Sequence, residues 1–203
     1  MKFEEYVMSF LPDTHVILGI KLKHLSLGHY LLMRRLDVGY ATDTEAKVGF
    51  SDFVLALLIC SMTYEEFIAY LERPDFIKRL KKESRNMCKV IKKEDGFNLF
   101  DKMKNFEIYL KEGTKMPLYW EGDNTSDKKS GAHWSQTLFT TAVSELGYTR
   151  TQALNVPLVQ LFNDFYKFAE SSGAVSLMQP DEEDQIKETI ETAKKESQTA
   201  CKI

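Results

Sequence analysis

Between Phe53 and Cys60 the chain carries eight consecutive apolar residues, directly after Ser51-Asp52. Serine is a preferred helix N-cap, and an acid in the first turn is favoured by the helix dipole, so the run predicts a helix. A helix that is apolar on nearly every side has no face to give to water and belongs at the centre of a core. It is also too short for a bilayer, which needs about 20 such residues.

Similar punctuation recurs along the 203 residues. Ser26 stands before Leu27, Leu31, Leu32 and Leu36 at helical spacing, and Arg34-Arg35 followed by Gly39 is the order expected at a C-terminus. Thr63 with Glu66, and Thr149 with Gln152, have capping-box spacing, and each predicts a short helix. Pro74 ends the first of these, because proline lacks an amide hydrogen and clashes with the preceding turn. Apolar positions Ile77, Leu80, Met87 and Ile91 predict a helix from Asp75 to a break at Asp95-Gly96. A further helix follows through Phe97, Phe100, Met103, Phe106, Ile108 and Leu110, with Gly113 as a left-handed cap. His133 to Leu146 forms another, ended by Gly147. Pro157 suits the first turn of a last one, through Leu158, Leu161, Phe162, Phe165, Tyr166 and Ala169 to Gly173.

These signals predict an all-α fold of about six to eight helices. The first 20 residues, broken by Pro12 and Gly19, read as an irregular or partly extended arm whose Phe3, Tyr6, Phe10 and Leu11 can pack on the body. Residues 40–50 read as a loop. The expected organisation is an N-terminal helical part (1–113), a surface loop (114–131), a C-terminal helical part (132–178) packed on the first, and a mobile acidic tail (179–203). Asp181 to Glu191 holds six acids and one lysine, with only Ile186 and Ile190 apolar, too little to dock firmly. One domain is favoured over two, since the C-terminal part alone is too short to bury much.

Composition narrows the function. Apolar residues at 43% and charged residues at 28% are ordinary for a globular chain, which excludes wholesale disorder. A net charge of −3 argues against a general polyanion binder. Glu4 and Glu5 stand where a signal peptide needs basic residues, so a cytoplasmic protein is expected. Cys60, Cys88 and Cys201 are odd in number and widely spaced, which fits neither a disulfide framework nor a zinc site. Cys60 reads as a small buried hydrophobe.

Chemistry-bearing motifs are not found. His24 and His29 are five residues apart, roughly 140° around a helix, and neither belongs to an HExxH arrangement. His15 and His133 have no neighbours at ligand spacing, so all four read as polar or capping residues and no metal or cofactor is assigned. There is no G-x-S-x-G elbow and no glycine spacing for a phosphate cradle; Lys128-Lys129-Ser130-Gly131 lacks the upstream glycine and preceding strand. The expectation is a protein without enzymatic activity.

The strongest charge feature lies between Lys78 and Lys93, where eight Lys or Arg accompany one acid, Glu83, for a net charge of +7. It reads either as a solvated face or as a surface for nucleic acid or an acidic partner. No aromatic residue alternates with the cations as a base-stacking platform requires, and the acidic tail is an internal candidate to lie near them. The segment from Gly147 to Phe168 has the order of a helix-turn-helix, yet Lys167 is the only basic residue of its second helix and nothing there reads base edges. The residues assigned to partner contact are Lys78, Lys81, Lys82, Arg85 and Lys89, with Trp120 in the long loop.

Two stretches together resemble a known family. One is Ser26-Leu-Gly-His-Tyr-Leu-Leu-Met-Arg-Arg-Leu followed by Leu58-Ile-Cys-Ser-Met-Thr. The other is Leu146-Gly-Tyr-Thr, Ala153-Leu-Asn-Val-Pro-Leu, and Tyr166 with Ala169-Glu170 and Gly173. Their order resembles the tail assembly chaperone group of tailed bacteriophages and prophages. The resemblance implies a non-enzymatic role in the cytoplasm of a bacterial host: shielding the tape measure protein until the tail tube polymerises around it. Eight methionines and 13 phenylalanines could supply adaptable apolar surfaces for such a partner, although most are expected to fill the core. The alternatives are a connector or tail subunit of the virion and a nucleic-acid-binding module built on the basic helix 76–93.

Overall fold

Local capping chemistry decides where the helices start. Ser26 accepts the His29 amide, and the His29 ring accepts the Ser26 amide in return, opening α1 (Leu27–Arg35). The apolar helix α2 (Phe50–Ser61) begins one residue before Ser51: its N-cap is Gly49, whose amide donates to the Asp52 carboxylate at 2.8 Å. Asp52 therefore does the capping that the sequence assigned to Ser51. The Thr63–Glu66 and Thr149–Gln152 boxes open α3 (Tyr64–Leu71) and α7 (Arg150–Asn155) as expected. Glu66 accepts the Thr63 amide at 2.7 Å, and this bond is the main cause holding its carboxyl below the usual range.

The computed structural model describes residues 15–41, 48–94, 99–121 and 131–178, with positions 182, 185 and 189. These residues are 68% helical, in eight α-helices with only short strands, so the protein is all-α. The other helices are α4 (Phe76–Glu94), α5 (Leu99–Gly113), α6 (Trp134–Ser144) and α8 (Leu158–Ser171). Phe3, Tyr6, Phe10, Leu11, Phe97 and most of the acidic tail lie outside the described residues, as does 122–130 of the long loop.

Helix α2 is central: Phe53, Val54, Ala56, Leu57, Leu58, Ile59 and Cys60 are all buried. Phe106 of α5 packs edge-on against Phe53 (5.9 Å between ring centres) and Tyr40 (4.9 Å). The α6–α8 segment closes on this core. The Leu158 amide donates to the Leu25 carbonyl at 2.7 Å, and the Tyr64 amide donates to Asn155 Oδ1 at 3.0 Å. Gly28 lets α1 and α7 meet backbone to backbone, since a Cβ there would stand 2.6 Å from the Leu154 carbonyl oxygen. Leu138, Ala142, Ala153, Leu158 and Leu161 belong to the same buried cluster as the N-terminal helices.

The described end of the N-terminal arm is partly extended, as expected: it forms a hairpin, β1 (Val16–Ile17) and β2 (Ile20–Lys21), with Leu18 and Gly19 at positive φ in the turn and Ile17 and Leu18 buried. Several expectations are corrected. Residues 114–131 are not a plain loop: β3 (Tyr119–Glu121) pairs antiparallel with β4 (Val175–Leu177). Helix α1 ends through Asp37 at φ 53°, with the Val38 amide bonded to the Met33 carbonyl, ahead of Gly39. Gly113 is not a left-handed cap; it ends α5 where a Cβ would stand 2.5 Å from Leu25 Cβ, so close approach is what excludes a side chain. Ile77, Phe100 and Ile108 are exposed. The buried stripe of α4 runs through Leu80, Met87 and Ile91, and that of α5 through Phe106 and Tyr109. Phe100 and Ile108 each stand one residue from the buried side of α5, beside Leu99 and Tyr109, whereas Ile77 is in line with the α4 stripe and is exposed in its first turn.

Candidate protein-binding surface

The β3–β4 ribbon carries an apolar surface that the body leaves uncovered. Tyr119, Trp120 and Glu121 pair with Leu177, Ser176 and Val175, and the Met178 amide extends the ladder to the Leu118 carbonyl. Glu170 of α8 accepts the Leu177 amide at 3.1 Å, which fixes the ribbon to that helix. Pro117 is buried, and the Tyr119 ring lies 4.6 Å from that of Tyr166. Burial, reinforced by Tyr119, raises the Tyr166 phenol well above its ordinary range and keeps it neutral. Met116, Leu118, Tyr119 and Trp120 remain 51%, 43%, 39% and 49% exposed, and the Tyr166 hydroxyl lies 3.9 Å from the Met116 sulfur. An exposed run of Met, Leu, Tyr and Trp around the buried Pro117 is the kind of patch that marks an interaction site.

Helix α8 also forms one wall of an open groove of about 570 Å³, lined by Gly147, Tyr148, Gln152, Asp164, Lys167 and Phe168 among others. The Tyr148 hydroxyl donates to Asp164 Oδ2 at 2.5 Å and accepts from Gln160 Nε2 at 3.3 Å. Asp164 is thus committed to holding the turn after α6 onto α8. The groove offers a ligand one ammonium, from Lys167, and the exposed edge of Phe168. The second helix of the would-be helix-turn-helix is α8, and its Leu158, Leu161 and Phe162 are buried in the core.

Lys78, Lys81, Lys82, Arg85 and Lys89 are all exposed on α4 and make no ion pair among the described residues, whereas Arg79 bonds Asp75 at 2.7 Å. Trp120 belongs to another element, the ribbon on α8, while α4 packs on α2. The five cations and the tryptophan are therefore parts of two surfaces rather than one. Met116 and Leu118 join Trp120 and were missed; the cluster of large apolar residues from Met116 to Trp120 in an otherwise polar stretch is the signal that identifies them.

The histidines serve the fold. His29 is 2% exposed, its Nε2–H donating to the Met62 carbonyl at 2.7 Å and its Nδ1 accepting the Ser26 amide. His133 caps α6 by accepting the Ser135 amide, and His15 stands 3.4 Å from Glu112. Cys60 is fully buried, and burial pushes its thiol up to about 12, against a smaller opposing effect of Tyr109. Among the described residues no three His, Cys, Asp or Glu side chains gather as a metal site, and no helix is long and apolar enough to cross a membrane. Compared with family models, curated proteins and solved structures, the chain matches none of them.

Proposed function

We propose that this protein is a non-enzymatic assembly factor that binds a helical partner protein through the apolar ribbon surface of Met116, Leu118 and Trp120. The observation that carries the reading is the exposure of those three side chains on and just before β3, in a ribbon held to α8 by the Tyr119–Tyr166 ring contact and the Glu170–Leu177 bond. A methionine, a leucine and a tryptophan give a flat, adaptable surface suited to the apolar stripe of an amphipathic helix. Such a surface needs no catalytic group. The resemblance to tail assembly chaperones names the partner: the tape measure protein, a long helical polymer that must stay unaggregated in the host cytoplasm until the tail tube forms.

Co-expression with a phage tape measure protein tests the proposal. The intact protein keeps the partner soluble and co-purifies with it. The triple variant Met116→Ser, Leu118→Ser, Trp120→Ser folds with unchanged helical content but loses the partner. Equal co-purification of the triple variant removes the ribbon as the binding surface. Purified particles distinguish a chaperone, which is absent from them, from a virion subunit, which is retained.

A further inference from the structure

We infer that the cationic stripe of α4 is a docking surface for an acidic helical segment, and that its occupant is residues 181–191 of the same molecule. Successive residues of a helix turn by 100°, so Lys82, Arg85, Lys89 and Lys92 fall within an arc of about 80°. That arc lies opposite the buried Met87 and Ile91 and the half-buried Leu80. Lys82, Arg85 and Lys89 are exposed there without an ion partner among the described residues. The one acid of the helix, Glu83, falls outside the stripe.

The acidic segment repeats the same spacing with opposite sign. Asp181, Asp184, Glu188 and Glu191 are separated by three, four and three residues, as are Lys82, Arg85, Lys89 and Lys92. The pattern is its own reverse, so charges match in either chain direction, and both rows extend about 15 Å on a helix. The described positions of the segment, Glu182, Gln185 and Thr189, have helical backbone, with the Thr189 hydroxyl bonded to the Gln185 carbonyl one turn earlier. The connection also favours a contact within one molecule. The Met178 amide is tied to Leu118, five residues beyond the C-terminal end of α5, while the stripe ends at Lys92, seven residues before the start of that helix. Nucleic acid fits the stripe less well, because no exposed aromatic interleaves the cations and the whole chain is net negative. Single exposed ion pairs are weak, but tethering raises their effective concentration and a matched row engages them together.

Carbodiimide cross-linking of the full chain at low salt, which joins lysines to carboxylates only in direct contact, tests the inference. The Lys23–Glu66 pair, 3.6 Å apart, is the internal control. Links from Lys82, Lys89 or Lys92 to carboxylates of 181–191 are expected, and should fade at about 0.5 M salt as screening shortens. They should form within single molecules when light and heavy protein are mixed. In a variant with Asp181→Asn, Asp184→Asn, Glu188→Gln and Glu191→Gln, a fluorescent single-stranded DNA used as polyanion probe should bind about tenfold tighter than to the intact chain. Absence of the links while the control forms, links only between molecules, or equal DNA affinity of the two proteins would each overturn the inference. The last result, with tight binding, would assign the stripe to nucleic acid.

Discussion

His29 makes stability depend on pH in a way that can be worked out from its surroundings. Its Nδ1 must be unprotonated to accept the Ser26 amide at 3.2 Å, and its Nε2–H is held by the Met62 carbonyl. Protonation would bury a charge and set two donors against each other at the start of α1. Burial is the main cause, and the nearby Lys23 charge adds to it, so the pKa falls from 6.5 to about 4 although the Met62 bond opposes the change. In the unfolded chain the same ring takes up its proton near 6.5. Between those values the unfolded state binds more protons, so stability is full above about pH 6.5 and falls as the solution is acidified toward pH 4. A shift of about 2.5 units at 1.36 kcal/mol each corresponds to roughly 3 kcal/mol in total, of which about 2.5 kcal/mol is lost between pH 7.5 and pH 4.5. Urea unfolding across that range, in the native protein and in His29→Gln, is the assay. Glutamine can accept the Ser26 amide without titrating, and the surface carboxylates are common to both proteins. The difference between the two pH profiles isolates the buried ring. Parallel profiles would refute the assignment of a neutral, buried His29.

Other perturbations give separate checks. Gly28→Ala places a Cβ 2.6 Å from the Leu154 carbonyl oxygen and 2.9 Å from Tyr64 Cβ. Because the first of these is backbone, the substitution should cost about 2 kcal/mol in urea unfolding despite the better helix propensity of alanine. Asn163 is 2% exposed and neither polar atom of its side chain has a hydrogen-bond partner among the described residues. Asn163→Leu should therefore stabilise by about 1–2 kcal/mol and raise Tm by a few degrees in calorimetry; a lower Tm would show that the amide is held. Tyr109→Phe removes the bond of 2.8 Å from its hydroxyl to the Lys23 carbonyl and should destabilise by about 1–2 kcal/mol in the same assay.

What could be read from the chain, and what could not, divides by the range of the interaction. Thr63–Glu66 and Thr149–Gln152 close within a few residues, so their spacing alone located two helix starts. The all-apolar run located the centre of the core, since no other placement satisfies it. Gly113 and Gly28 look like ordinary helix glycines until Leu25 and Leu154, from distant segments, are brought against them. Gly49 caps α2 only because Asp52 reaches back to it, and serine at 51 was the stronger local signal for the wrong position. The ribbon is the extreme case: β3 and β4 are three residues each and lie more than fifty residues apart. Neither length nor local propensity marks so short a strand, and each exists because α8 presents Tyr166 and Glu170 to it.

The same division bears on function. Of the six side chains assigned to partner contact, the five cations follow from charge pattern along one helix, a local property, and they are exposed on α4. Trp120 was singled out as a large residue in a long loop, but its setting depends on a non-local strand pair that turns Met116 and Leu118 into its neighbours. A binding surface of apolar side chains cannot be told from a core by composition, because both use Met, Leu and Trp. It becomes distinguishable only when packing has used up the rest. Here the core buries large apolar side chains from every part of the fold; of those left exposed, Met116, Leu118, Tyr119 and Trp120 stand together on the ribbon, while Val16, Ile77, Phe100, Ile108, Trp134 and Phe168 lie elsewhere. That residue of unspent apolar surface, not any motif, is what directs attention to the ribbon as the place where a partner helix would lie.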